Sequence, residues 1–68
     1  DGAGALALYR RIAERMPSDQ TVAINLAILE ADNGQADSAR ARLQQLRADN
    51  VESVALERAI LQVEAKLR

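Results

Sequence analysis

Cysteine and histidine are absent from the 68 residues, and so are phenylalanine and tryptophan. Without them there can be no disulfide scaffold, no His- or Cys-based metal site, and no His- or Cys-dependent catalysis unless a partner supplies the residues. Tyr9 is the only aromatic residue and Pro17 the only proline. Nine residues are β-branched, four Ile, four Val and Thr21, which is too few for a β-sandwich. The net charge is −1, so nothing pulls the chain generally toward nucleic acid or an anionic membrane. With no aromatic platform either, nucleic-acid binding is not expected. The longest apolar run, Val22 to Leu29, is interrupted by Asn25 and falls far short of the roughly 20 residues that span a bilayer. Direct membrane insertion is therefore not expected, no signal peptide is visible, and no cofactor is implied. The chain starts at Asp1 rather than Met and reads as part of something longer. Lack of cysteine fits a reducing compartment and leaves a bacterial periplasm open.

Alanine and leucine dominate, with 14 and nine copies, and 43 of the 68 residues are strong helix formers. The fold class is all-α. Asp1 to Gly4 reads as a flexible lead-in, with the structured part over 5–68. A first helix is expected over 3–15, with Leu6, Tyr9, Ile12 and Ala13 on one face, and Pro17 forces its end. Ser18 or Asp19 caps a second helix over 19–33, whose buried stripe is Val22, Leu26 and Leu29 with Ala23 and Ala27 beside it. Asn33-Gly34 stops it, since glycine readily takes the left-handed position after a helix. A third helix over 35–48 carries Asp37 in its first turn and Ala39, Leu43 and Leu46 inward. Asp49-Asn50 breaks it. The fourth, over 52–67, carries Leu56, Ile60, Val63 and Leu67. Connections of two to four residues make neighbouring helices antiparallel.

Sliding the chain on itself by 34 residues aligns Ala5 with Ala39, Ala7 with Ala41, Glu30 with Glu64 and Ala31 with Ala65. Core positions agree in kind: Tyr9 with Leu43, Ile12 with Leu46, Val22 with Leu56, Leu26 with Ile60, Leu29 with Val63. The first helix is thus equivalent to the third and the second to the fourth. A 34-residue helix-pair period is the tetratricopeptide spacing. Ala5, Tyr9 and Pro17 follow that family's pattern for the second helix of a unit, as Ala39, Leu43 and Val51 do more loosely. Ala23, Leu26-Ala27 and Glu30, then Glu57, Ile60-Leu61 and Glu64, follow the pattern for the first.

The chain resembles a tetratricopeptide-repeat segment over nearly all of its length after Gly4. The resemblance implies antiparallel helix pairs in a right-handed α-solenoid segment. Its frame is a second helix (3–15), a full repeat (19–48) and the first helix of the next (52–67). Three features depart from the family pattern: no large aromatic in the first-type helix, Val51 where proline is expected, and Leu61 in place of a small residue. Each unit of such an array buries a face on the next, and about three units are normally needed for stability. The expectation is that the parent protein continues in at least one direction, or that the segment pairs with another chain. The Arg- and Ala-rich composition points to a bacterial source, where relatives act in envelope assembly or secretion.

Candidate chemistry is sparse. Ser18, Ser38 and Ser53 lie at helix starts with no histidine to act as base, so capping or solvent exposure is the reading. Glu30 and Asp32 point in different directions on one helix and read as solvated. The run 32–37 lacks the alternating oxygen ligands of a calcium loop and reads as a helix turn. The first and third helices each carry +2 and the second −3, which favours solvated faces joined by cross-helix ion pairs.

The resemblance places a partner on the concave face, which first-type helices line. The implied contact residues are Ile24, Asn25, Ile28, Ala31 and Asp32 on the second helix and Arg58, Gln62 and Lys66 on the fourth. Relatives that bind acidic chaperone C-termini use a Lys, Arg and Asn clamp there. Asn25 matches one clamp position, but Ile24, Ile28, Ala55 and Ala59 hold the others. An apolar or amphipathic peptide or helix of a protein partner is therefore expected, with Ile24 and Ile28 as anchors. The alternative is a helical bundle that forms a homodimer through the same two isoleucines. An enzyme is not expected.

Overall fold

The structure is a computed structural model that describes residues 2–49 and 53–67. Among the described residues four helices follow one another: α1 (Gly2–Arg15), α2 (Gln20–Asp32), α3 (Ala36–Ala48) and α4 (Val54–Lys66). Asp1, Asn50, Val51, Glu52 and Arg68 lie outside the described residues. So do the expected break at Asn50, the Val51 counterpart of Pro17, and the expected helix start at Glu52.

The helix ends follow local chemistry. α1 stops two residues before Pro17, with the Met16 N–H still reaching the Ile12 carbonyl at 2.9 Å. Asp19, not Ser18, is the cap of α2: its carboxylate accepts from the Val22 N–H at 3.0 Å. Ser53 caps α4 in the same way through Leu56 N–H at 2.9 Å. At the other end of α2, Gly34 takes φ +82°. The Gln35 N–H then bonds back to the Glu30 carbonyl at 2.8 Å and the Gly34 N–H to Ala31 at 3.3 Å, the paired arrangement of a Schellman turn.

Ends expected at 19, 33, 35 and 67 each fall one residue inward, and the start of the chain differs more. The flexible lead-in over residues 1–4 is instead helical from Gly2. Each residue added to a formed helix gains a backbone hydrogen bond, which offsets the roughly 1 kcal/mol that glycine costs relative to alanine.

Neighbours run antiparallel. Arg10 of α1 reaches Glu30 and Gln35 at the far end of α2, and Arg47 near the end of α3 reaches Glu57 near the start of α4. α2 is the hub, packing on α1, α3 and α4, while α1 touches only α2 among the described residues. This explains why the single-stripe reading of α2 fails in part. Leu26 and Ala27 are buried, but Val22, Ala23 and Leu29 are half-buried, and Ile24 and Ala31 are in the core instead. A helix enclosed on several sides has no single apolar stripe.

The core joins Ile24, Ala27, Ala31, Ala39, Leu43, Leu56, Ala59 and Val63, with Ile28, Ala36, Leu46 and Ile60 packed against it. Half of the eight buried members are alanine, which lets the helix axes approach closely. The third helix buries the face expected of it. On α4 the stripe ends at Val63, because Leu67 falls on the helix cap and is exposed. Of the recurring alanines, Ala31 and Ala39 are buried, whereas Ala7, Ala41 and Ala65 face solvent and take no part in close packing.

Candidate interaction groove

α2 and α4 are equivalent in the repeat and lie side by side in the same direction. Their amino-terminal halves enclose one depression of about 180 Å³, bounded by Gln20, Thr21, Ile24, Asn25, Ser53 and Ala55. Their carboxy-terminal halves enclose another of about 300 Å³, bounded by Ile28, Ala31, Asp32, Gln62, Ala65 and Lys66. Together they form a groove along the helix pair. Its floor is apolar and its rims carry amides, hydroxyls and one ion pair. Asp32 and Lys66 face each other across the far end at 3.5 Å, both about half-exposed.

The eight residues expected to contact a partner divide into three sets. Asp32, Gln62 and Lys66 are exposed on the rims, and Asn25 is half-buried in the lining of the first depression. Arg58 is exposed but borders neither depression. Ile24 and Ala31 correct the expectation: at 5% and 6% exposure they belong to the core. Ile28 packs against that core too. The isoleucines face α4, which covers them, because α2 is enclosed by its neighbours on the side the stripe reading left open. They are therefore the groove's floor, not free anchors, and the homodimer reading loses its surface at Ile24. The buried Ala59 is likewise no rim position. Gln20, Thr21, Ser53, Ala55 and Ala65 also bound the groove and were missed. The 34-residue register pairs Thr21 with Ala55 and Ala31 with Ala65, and so carried a signal for three of them.

Glu30 is a second correction. It is 3% exposed, not solvated. Arg42 donates Nε and Nη2 to its two oxygens at 2.8 and 3.3 Å, and Arg10 stands 4.0 Å away while donating to the Gln35 side chain at 2.7 Å. This network ties α1, α2 and α3 together. Arg47 pairs with Glu57 at 2.8 Å. Three arginines of the basic helices are thus engaged in cross-helix contacts, while Arg11, Arg15 and Arg40 stay exposed. Ser18 and Ser38 are exposed as well.

Among the described residues no cluster of three or more carboxylates could hold a metal ion, and no helix is long and apolar enough to cross a membrane. No curated protein and no solved structure matches the chain significantly. The model of the tetratricopeptide repeat family matches residues 1–63. With that match, four helices, two pairs related by 34 residues and a groove between equivalent helices, the chain belongs to the tetratricopeptide-repeat family, whose members are protein-interaction modules.

Proposed function

We propose that the chain is a non-catalytic scaffold segment of a larger bacterial protein that holds an amphipathic peptide or helix of a partner protein in the α2–α4 groove. One observation carries this reading. Two parallel equivalent helices leave two depressions in line along their seam, one beside Ile24 and Asn25 and one over Ile28 and Ala31 with Gln62, Asp32 and Lys66 along its edges. A segment laid there buries apolar side chains on the floor, and the rim amides bond its backbone or polar face. Placement in envelope assembly or secretion rests on analogy with bacterial relatives.

Selection of random 12-residue peptides on the immobilised chain tests the groove. Sequences with apolar residues at regular spacing are expected to enrich and to bind saturably. Thr21→Trp and Gln62→Trp fill the two depressions from exposed rim positions, and each is expected to weaken the selected peptides at least tenfold. Equal binding to both variants would place the site elsewhere.

A further inference from the structure

Asn33-Gly34 ends α2, and the same pair carries covalent chemistry. The backbone nitrogen of a following residue can attack an asparagine side chain, and glycine leaves that nitrogen open because it has no Cβ to shield it. Asn25 and Asn50 are followed instead by Leu26 and Val51, whose branched side chains obstruct the approach. Gly34 is exposed, and apart from its chain neighbours no atom lies within 4 Å of where a Cβ would stand, so water and hydroxide reach the pair.

The folded turn opposes the attack. Ring closure needs the Gly34 nitrogen eclipsed with Asn33 Cβ about the Cα–C bond, but a ψ of 23° at Asn33 nearly eclipses it with the Asn33 nitrogen. The side chain is turned back along its own helix, with Nδ2 donating to the Leu29 carbonyl at 2.7 Å. The Gly34 N–H donates to the Ala31 carbonyl at 3.3 Å, a longer bond than the 2.8 Å of Gln35 beside it. The lock is therefore weakest at the reacting nitrogen.

We propose that Asn33 is a site of spontaneous deamidation, held back by the folded turn and released when the end of α2 opens, and that its product loosens the α2–α3 turn. Helix ends open at lower free energy than the core. In the opened turn the Gly34 nitrogen, deprotonated by hydroxide, attacks Asn33 Cγ. A Cγ–N bond forms, the Cγ–Nδ2 bond breaks, and the amide leaves as ammonia after taking a proton from water. Water then opens the five-membered imide at either carbonyl and leaves aspartate or its β-linked isomer, isoaspartate. The net change consumes one water and releases one ammonia. Either product sets a carboxylate oxygen against the Leu29 carbonyl where Nδ2 had donated, acceptor against acceptor. The new charge lies at the carboxy-terminal end of α2, where the helix dipole is negative, the last turn holds no basic residue, and Asp32 is adjacent. Isoaspartate also adds a backbone carbon before Gly34, so the Gly34 and Gln35 N–H groups fall out of register with Ala31 and Glu30. α3 is laid back on α2 through this turn, so the Arg42–Glu30 clasp loosens with it. The site is independent of the α2–α4 groove.

The test incubates the full chain at mildly alkaline pH and physiological temperature, with and without urea at unfolding strength. Peptide mapping by mass spectrometry follows each asparagine. In the folded chain Asn33 is expected to convert, with isoaspartate in excess over aspartate, while Asn25 and Asn50 stay largely unchanged. Urea is expected to speed the loss at Asn33 at least about tenfold, because the closed turn dominates the folded chain. Gly34→Ala should slow the reaction several-fold in urea, which ties it to the Gly34 nitrogen. Asn33→Asp should lower the folding constant about tenfold in urea unfolding followed by circular dichroism, the joint effect of a lost hydrogen bond and a charge at the unfavourable helix end. The purified isoaspartyl chain should lose more. No conversion at Asn33 in the folded chain, or equal rates with and without urea, overturns the proposal. So does an Asn33→Asp chain as stable as the unchanged one.

Discussion

The Glu30 network offers the sharpest quantitative test of the packing. Glu30→Gln keeps the shape and removes the charge. In the folded chain Glu30 accepts two hydrogen bonds from Arg42 and stands 4.0 Å from Arg10. Removing one member of a fully buried pair costs about 3–5 kcal/mol, because the remaining charge is stranded. Here the arginine side chains keep 38% and 48% of their exposure, so water can solvate them once freed. The loss then falls toward the value of a charge-assisted hydrogen bond, about 1.5–3 kcal/mol. A chain of 68 residues has roughly 3–10 kcal/mol in total, so about 2 kcal/mol is a large share of it. Urea unfolding followed by circular dichroism reads this directly, and the thermal midpoint should fall by about 8–16 °C. Glu64→Gln, at the equivalent position, which makes no ion pair among the described residues, is the internal control and should cost less than about 0.5 kcal/mol. Equal effects at the two positions, or a loss at Glu30 below 0.5 kcal/mol, would refute the reasoning that burial and the Arg42 clasp set the value.

Further substitutions probe the rest of the structure. Ile24→Ala should destabilise by about 2–4 kcal/mol as a core truncation, whereas Gln62→Ala on the groove rim should stay within about 0.5 kcal/mol, both by urea midpoint. Gly34→Ala meets no neighbour within 4 Å, so its cost, about 1–2 kcal/mol, comes from the positive φ alone, and Gly34→Asn should recover part of it. Asp19→Ala and Ser53→Ala each remove a side-chain cap and should cost about 1 kcal/mol in the same assay. Lys66→Ala breaks an exposed pair and should change stability by less than about 0.5 kcal/mol, with that small effect vanishing in 1 M salt.

Much of the fold was legible because its signals are local. Pro17, Asn33-Gly34 and the caps depend only on backbone chemistry within a few residues. The period depends only on counting. The face of α3 was readable because α3 packs against one side of the molecule and so keeps a clear stripe. The groove was legible in part: its rim residues Asp32, Gln62 and Lys66 follow from the helical phase. The position of Ile24 and Ala31 did not, since α2 is apolar around most of its circumference and no phase argument tells which side a neighbour covers.

By itself, then, the sequence determined the helices, their order, the 34-residue repeat and the lack of His and Cys in these 68 residues. The tertiary structure alone decided which apolar residues are floor and which are rim. It also alone decided that Glu30 is buried and clasped by Arg42, while its twin Glu64 is half-buried and makes no ion pair among the described residues. The two glutamates have identical side chains and are each followed by alanine. Glu30 owes its burial to the basic helix that follows α2 and folds back over it, and burial is a property of the neighbours a residue is given, not of the residue.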